Sequence, residues 1–262
     1  MQTSAYFVQE ILWQLILPLV GLCVYIPLRI KKRLRPALLI KTGLSVAFIL
    51  FALRGIVTQY VADDRFSASP WVDKNVLFTS LLVIAGLVCG LIGDIFLDLK
   101  DIHIDTQSHY MFVGFSSFML GHFFYFAAIF HAYQYQGDAW GLALPLAAGF
   151  GLLMFLGMAA LEKPMKLDYG KFRPILLVYT FVLSTMTAYP LAIGFYAMDA
   201  TMASIFGVGM VLFFLSDLVL SQVYFSTARK EPSPVHIALN YILYYGGQFT
   251  IAAALYFLPY QK

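Results

Sequence analysis

Charged residues are scarce in this sequence. Asp, Glu, Lys and Arg make up only 12% of its 262 residues, whereas 61% are hydrophobic and the mean hydropathy is +0.78. Soluble domains carry about 25% charged residues, so the composition excludes an ordinary soluble protein. The alternating apolar and polar pattern of an outer-membrane barrel is also absent. The sequence therefore predicts an all-α, polytopic membrane protein.

Several motifs of well-known enzyme classes are missing as well. There is no P-loop, no G-x-S-x-G elbow, no H-E-x-x-H and no dinucleotide-binding fingerprint. No compact basic module indicates nucleic-acid binding. The two cysteines, Cys23 and Cys89, lie in apolar segments without metal-ligand spacing, so we interpret them as core residues. No cofactor and no bound metal is expected.

Apolar segments long enough to cross a bilayer as helices recur along the whole chain. Eight spans are predicted, at roughly 8–29, 36–57, 76–97, 110–131, 139–160, 173–196, 201–222 and 236–258. The shortest connection is 197–200, between the sixth and seventh spans. A separate soluble domain does not fit, so residues 1–262 are predicted to form one membrane domain. The first segment is expected to remain as an anchor, because it is too long for the core of a signal peptide.

Basic residues are distributed unevenly over the predicted loops. Thirteen of the seventeen Lys and Arg fall on the side of the odd-numbered loops, and the densest run is RIKKRLR after the first span. Positive charge is retained in the cytoplasm, so both termini are predicted on the non-cytoplasmic side of the plasma membrane, which in a bacterium is the inner membrane. The basic run is interpreted as a topology anchor, with binding of anionic lipid head groups as the alternative.

The two halves of the chain, roughly 1–135 and 136–262, resemble one another. Three short matches occur in the same order: LPL from Leu17 and from Leu144, RPALLIKT from Arg35 against RPILLVYT from Arg173, and GDIFL from Gly93 against SDLVL from Ser216. Each unit would hold four spans, which is an even number. The copies are therefore predicted to be parallel, related by an axis along the membrane normal.

Each half places one aspartate deep in an apolar segment, Asp94 in the third span and Asp217 in the seventh. An ionisable residue within a membrane marks a functional site by default, because burying its charge is costly. The repeat predicts equal depths for the two carboxyl groups. Gly86 and Gly90 precede Asp94 at four-residue steps, and Gly209 lies on the helix face that carries Asp217. Small residues at these positions let another helix approach closely. The two aspartates are the predicted catalytic residues.

Polar residues on three other spans are candidates to complete the site. The eighth span carries four at four-residue steps, which place them on one face of a helix. The fourth span carries two, one turn apart, and the sixth carries a tyrosine. The predicted substrate-binding residues are His122, Tyr125, Tyr179, His236, Asn240, Tyr244 and Gln248. For Asn240 and Gln248 the alternative is interhelical hydrogen bonding.

Other polar groups are expected to be structural. Three hydroxyl residues on one face of the sixth span are expected to donate to backbone carbonyls: Thr180, Ser184 and Thr187. The third loop contains several Asp and His residues but no fixed metal-ligand motif, so it is interpreted as solvated: Asp98, Asp101, His103, Asp105 and His109.

The order and spacing of the short motifs resemble the YhhN-like lysoplasmalogenase family of eight-span membrane proteins, over essentially the whole chain. The matching residues are Gly93-Asp94-Ile95-Phe96-Leu97, His122-Phe123-Phe124-Tyr125, Ser216-Asp217-Leu218-Val219-Leu220 and Tyr244-Tyr245-Gly246-Gly247-Gln248. The resemblance implies hydrolysis of the vinyl-ether bond of lysoplasmalogens with choline or ethanolamine head groups. The products would be a fatty aldehyde and a glycerophospho-alcohol. The partners implied are a lysophospholipid and the bilayer.

Vinyl-ether hydrolysis requires a proton delivered to carbon, followed by water added to an oxocarbenium-like cation. Two carboxyl groups in different protonation states meet both demands, as they do in glycoside hydrolysis. One aspartate would act as general acid, while the other, ionised, would stabilise the cation and orient water. The sequence does not assign these two roles.

Two other functions are compatible with the sequence. Asp94, Asp217, His122 and His236 are suitable metal ligands if they converge, which would make the protein a metal-dependent lipid hydrolase in the membrane. Parallel repeats with acidic residues between them are also found in transporters of lipids and small molecules. The sequence lacks the paired broken helices that many transporters have.

Overall fold

The computed structural model describes residues 2–62, 70–134, 139–196, 200–228 and 231–258, and these ranges are helical almost throughout. Eight long helices follow one another there: α1 Gln2–Ile30, α2 Leu34–Ala62, α3 Pro70–Ile102, α4 Gln107–Tyr133, α5 Ala139–Leu161, α6 Arg173–Tyr196, α7 Thr201–Phe225 and α8 Pro234–Ala253. Short 3-10 helices occupy Ile104–Thr106, Gly170–Phe172 and Ala254–Phe257. The predicted all-α class is confirmed.

Seven of the eight described helices, α1 to α7, are long and apolar enough to cross a membrane. The prediction of a polytopic membrane protein is therefore confirmed. α8 is not among the seven, because the polar stripe along its 20 residues lowers its hydropathy. Its crossing of the membrane and the direction of the chain stay predictions. The connection at 197–199, the junction of the halves at 135–138 and the basic residues Arg65, Arg229, Lys230 and Lys262 lie outside the described residues.

α3 is longer than the predicted third span, because it begins at Pro70 and continues to Ile102. Its last turns carry Asp98 and Asp101, which the sequence assigned to a solvated loop. That interpretation is wrong for both: Asp98 is 1% exposed and Asp101 is partly buried. Both carboxylates have basic partners within the bundle, which offset the cost of their burial. His103, Asp105 and His109 are exposed, as predicted.

The helices pack mainly against their neighbours in the chain, most extensively α3 on α4, α5 on α6 and α7 on α8. Helices that are not neighbours in the chain also pack together, among them α2 with α8, α4 with α6 and α1 with α8. In the predicted repeat α2 corresponds to α6 and α8 corresponds to α4. Exchanging the two halves therefore turns the contact of α2 with α8 into the contact of α6 with α4. A parallel two-fold repeat would produce this pattern, although the repeat itself stays a prediction.

Three glycines in α3 and α7 make room for neighbouring helices. A Cβ atom added at Gly86 would lie 2.2 Å from the ring of Tyr125, and one at Gly90 would lie 2.9 Å from Nε2 of Gln248. At Gly209 the added atom would lie 2.9 Å from a backbone oxygen of α8. The predicted role of these small residues in close helix approach is confirmed.

The two cysteines differ in burial. Cys89 is buried as predicted, but Cys23 is exposed, so its assignment to the core is wrong.

Replacing Gly86 by Ala should destabilise the bundle, because the new methyl group overlaps the buried ring of Tyr125. Overpacking of this kind costs about 1–3 kcal/mol. Gly149→Ala is the matched control, since an added Cβ there meets no atom within 4 Å. Thermal unfolding in detergent should show a lower midpoint for Gly86→Ala only. Equal midpoints for the two variants would contradict the close packing of α3 on α4.

Candidate functional site

Asp94 is buried on α3 and has three polar partners. It accepts hydrogen bonds from Oγ of Ser45 at 2.6 Å and from the hydroxyl of Tyr244 at 2.7 Å. Nζ of Lys41 lies 3.3 Å from its Oδ1 atom. These partners come from α2 and α8, so Asp94 joins three helices. A cation and two hydroxyl donors are surroundings that suit an ionised carboxylate.

Lys41 also binds a second carboxylate. Its Nζ atom lies 3.0 Å from Oδ1 of Asp98, and the hydroxyl of Tyr25 lies 3.4 Å from the other oxygen of that group. Asp94 and Asp98 are one helical turn apart and face the same side of α3. One buried ammonium group therefore serves two buried carboxylates. We call Lys41, Asp94 and Asp98 the lysine cluster.

Asp217 has different surroundings on α7. The hydroxyl of Tyr179 donates to its Oδ2 atom at 2.5 Å. Among the described residues, Asp217 forms no ion pair with a basic side chain. It lines a narrow cavity of about 50 Å³, whose walls are mainly apolar and include Phe118, Leu183 and Phe214. A cavity of this size has room for water.

The two aspartates lie at corresponding positions along their helices. Asp94 is eight residues before the end of α3, and Asp217 is eight residues before the end of α7. At 1.5 Å per residue, each is about 12 Å from its helix end. Equal distances from the helix ends are what the predicted repeat would give, and equal depth in the membrane stays a prediction.

A row of side chains connects the surroundings of the two aspartates. Nε2 of Gln248 donates to the hydroxyl of Tyr244, and the hydroxyl of Tyr125 donates to Oε1 of Gln248, both at 3.2 Å. The ring of His122 lies edge-on to those of Tyr125 and Tyr179, with centroid distances of 6.0 and 5.6 Å. The polar row, in order, consists of Asp94, Tyr244, Gln248, Tyr125, His122, Tyr179 and Asp217. The two carboxyl groups thus stand at its ends and do not form a hydrogen-bonded pair.

His122 is held in one tautomer. Its Nδ1 atom lies 2.6 Å from the backbone oxygen of Phe118, so this nitrogen donates a hydrogen bond. Its Nε2 atom is buried and has no hydrogen-bond partner among the described residues. The ring also packs edge-on against Phe213, at 5.0 Å. His122 therefore presents an acceptor nitrogen in the middle of the polar row.

The model of the YhhN family matches residues 37–255, a range that includes every residue of the polar row. The chain belongs to the YhhN family. The resemblance drawn from the short motifs is thereby confirmed. No curated protein and no solved structure matches the chain.

Seven of the nine predicted site residues of this YhhN-family protein lie in the polar row, and the other two do not. The amide nitrogen of Asn240 donates to the backbone oxygen and to Oγ of Ser216, both at 2.9 Å. This is the interhelical bonding considered as its alternative role. His236 is partly exposed in the first turn of α8 and forms no hydrogen bond, ion pair or ring contact with a member of the row. The binding roles of all nine residues stay predictions.

The four side chains considered as metal ligands do not come together. In the described part of the chain, no three His, Cys, Asp or Glu side chains are placed to hold one ion.

The prediction that the hydroxyl groups on α6 bind backbone carbonyls is confirmed for Thr180 and Thr187, which donate to carbonyls one turn earlier at 2.8 Å. It is wrong for Ser184, whose buried hydroxyl has no partner among the described residues.

Sequence reasoning missed Lys41, which it counted among the loop charges. Lys41 is 3% exposed within α2. The sequence did contain evidence for a role of Lys41, because aligning RPALLIKT with RPILLVYT pairs Lys41 with Tyr179. These two residues bind the two aspartates that the repeat also aligns. A partner for each carboxyl group could therefore have been inferred from the alignment.

Lys41→Met should strongly destabilise the protein, since two buried carboxylates would lose their shared counter-charge. Breaking a buried ion pair from one side costs about 3–5 kcal/mol. Adding Asp98→Asn to Lys41→Met should recover part of the loss, because one of the stranded charges is removed. The exposed residue Lys163 supplies the control Lys163→Met. Thermal unfolding in detergent measures all three, and a wild-type midpoint for Lys41→Met would rule out this ion pair as a stabilising element.

Proposed function

We propose that this protein hydrolyses the vinyl-ether bond of a lysoplasmalogen within the membrane. Membership of the YhhN family supports the reaction class that the motifs imply. The observation that carries the proposal is the contrast between the two intramembrane carboxyl groups. Asp94 has a cation and two hydroxyl donors, whereas Asp217 has one hydroxyl donor and a cavity.

Asp217 is the proton donor in this proposal. A charge in an apolar site is costly unless it is paired, and no described basic residue pairs with Asp217. The neutral acid is therefore the form that its cavity favours. Tyr179 holds one carboxyl oxygen, which leaves the other oxygen to carry the proton towards the cavity. Asp94 is occupied by three partners and serves as the ionised member of the pair.

The reaction proceeds by ordinary vinyl-ether chemistry. Asp217 gives its proton to the alkenyl carbon that is not bonded to oxygen, and the adjacent carbon and the ether oxygen share the positive charge. Water adds to that adjacent carbon and passes a proton back to the Asp217 carboxylate. The resulting hemiacetal breaks down to a fatty aldehyde and the glycerol hydroxyl group. One water is consumed and the acid is regenerated.

The walls of the cavity suit a cationic intermediate. Phe115, Phe118 and Phe214 line it together with Tyr179, and the faces of aromatic rings attract positive charge. The cavity has room for water but not for an alkenyl chain. Turnover therefore requires the surrounding helices to separate as the lipid enters.

Asp94 acts on this cavity indirectly, as a positioning residue. It binds the hydroxyl of Tyr244, whose ring packs edge-on against Phe118 with centroids 6.0 Å apart. Phe118 is itself a wall of the Asp217 cavity. The lysine cluster thus fixes one wall of the cavity from the opposite end of the polar row.

Asp217→Asn should abolish turnover in a folded protein, because the amide cannot donate a proton to carbon. General acid catalysis contributes about 10²–10⁴-fold, so we expect a loss of at least about 100-fold. Aldehyde release from a lysoplasmalogen by detergent-purified protein, with a strong chelator present, measures it. Asp105→Asn changes an exposed carboxylate and is the matched control.

Full activity in Asp217→Asn would refute the proposed acid. Wild-type activity that disappears with the chelator would instead support a metal-dependent hydrolase. If the folded wild-type protein releases no aldehyde but moves intact lysolipid between vesicles, the transporter alternative replaces the hydrolase.

A further inference from the structure

A second cavity, separate from that of Asp217, lies at the end of the bundle where α1 and α3 end and α8 begins. Its volume is about 390 Å³, within the range of small-molecule sites. Polar side chains line much of it: Arg29, Lys32, Asp101, Glu231, Asn240 and Tyr241. We call this space the end pocket.

Among the described residues, the charged side chains that line the end pocket are balanced and already paired. Arg29 forms an ion pair with Asp101, and Lys32 forms one with Glu231 at 2.7 Å. Two cations and two carboxylates therefore face one space. A ligand that carries one charge of each sign would match this lining, whereas a doubly negative ligand would upset the balance.

Both ion pairs can exchange partners without stranding a buried charge. Asp101 has a second cation, because Nζ of Lys100 lies 2.6 Å from its Oδ1 atom. Arg29 can therefore turn to another anion while Asp101 remains paired. The side chains of Lys32 and Glu231 are each 70% exposed, so water can solvate either of them. The guanidinium fork of Arg29 also suits the oxygens of a phosphate.

An apolar groove follows the end pocket along the same two helices. It too measures about 390 Å³, and α1 and α8 line it with Leu15, Leu22, Gly246, Phe249 and other residues. Tyr245 is one of its walls, and Tyr241, one helical turn earlier, lines the end pocket. The seam between α1 and α8 thus offers a charged space at the helix ends and an apolar space towards the middle.

We infer that this seam binds a phospholipid with a zwitterionic head group, such as phosphoethanolamine. The phosphate meets Arg29 and Lys32, the ammonium group meets Glu231, and the chain enters the apolar groove. Among the described residues, none lines both the seam and the Asp217 cavity. Binding there goes beyond the proposed hydrolysis and does not depend on it.

The test measures binding rather than turnover. Isothermal titration calorimetry of detergent-purified Asp217→Asn protein would use glycerophosphoethanolamine, glycerol 3-phosphate, inorganic phosphate and ester-linked lysophosphatidylethanolamine as probes. The zwitterionic head group should bind more tightly than glycerol 3-phosphate or inorganic phosphate. The chain-bearing lipid should bind more tightly than its free head group, because the groove adds apolar contact.

Variants locate the site. Lys32→Gln should weaken binding of glycerophosphoethanolamine about three-fold, whereas Lys31→Gln, the same change at the exposed neighbouring residue, should not. Glu231→Gln should weaken the zwitterion but not glycerol 3-phosphate. Arg29→Lys keeps the charge but removes the fork, and should weaken every phosphate-bearing probe.

Three results would overturn the inference. They are equal affinity for inorganic phosphate and glycerophosphoethanolamine, equal loss in Lys31→Gln and Lys32→Gln, and no binding of any probe to folded protein. None of these results bears on aldehyde release by the wild-type protein, so the failure of this inference and the failure of the proposed hydrolysis are distinguishable.

Discussion

The ion pairs of Lys41 with Asp94 and Asp98 are the interactions on which the first half of the bundle depends. Two carboxylates buried on one face of α3 must be given a counter-charge, and a single ammonium group from α2 supplies it. Hydroxyl groups from α1, α2 and α8 bind the remaining oxygens. Four helices are thereby held around one cluster. In an apolar environment, each of these partners is costly to remove.

The second half gives its aspartate no basic partner among the described residues, and this difference between Asp94 and Asp217 is the basis of the proposed chemistry. At the position that the repeat aligns with Lys41, α6 carries Tyr179, which has no charge to offer Asp217. An aspartate without a counter-charge favours its neutral form, and a neutral acid is what protonation of an alkene requires. Two helices at corresponding places in the two halves would in this way hold one carboxyl group ionised and the other protonated.

The sequence predicts the helices well because an apolar, helix-length segment has few alternatives in a membrane. It also singles out all seven members of the polar row, and the four-residue spacing on α8 accounts for two of them, Tyr244 and Gln248. It cannot predict that Asn240 turns to Ser216 while Gln248 turns to Tyr125, because both amides can donate and accept. That choice depends on which helix lies opposite, and the glycines at 86 and 90 set the approach of α3. The sequence assigned Asp98 to a solvated loop, because its burial depends on an ion pair with Lys41, which is 57 residues away in the chain.

Infrared spectroscopy of the detergent-purified protein tests the contrast between the two aspartates most directly, because a protonated carboxyl group has a carbonyl band that a carboxylate lacks. Spectra at neutral pH would be compared for the wild-type protein, Asp217→Asn and Asp94→Asn. We expect a carboxylic acid band in the wild-type protein that disappears in Asp217→Asn and remains in Asp94→Asn. A band that instead survives in Asp217→Asn and disappears in Asp94→Asn would contradict the assignment of Asp217 as the acid.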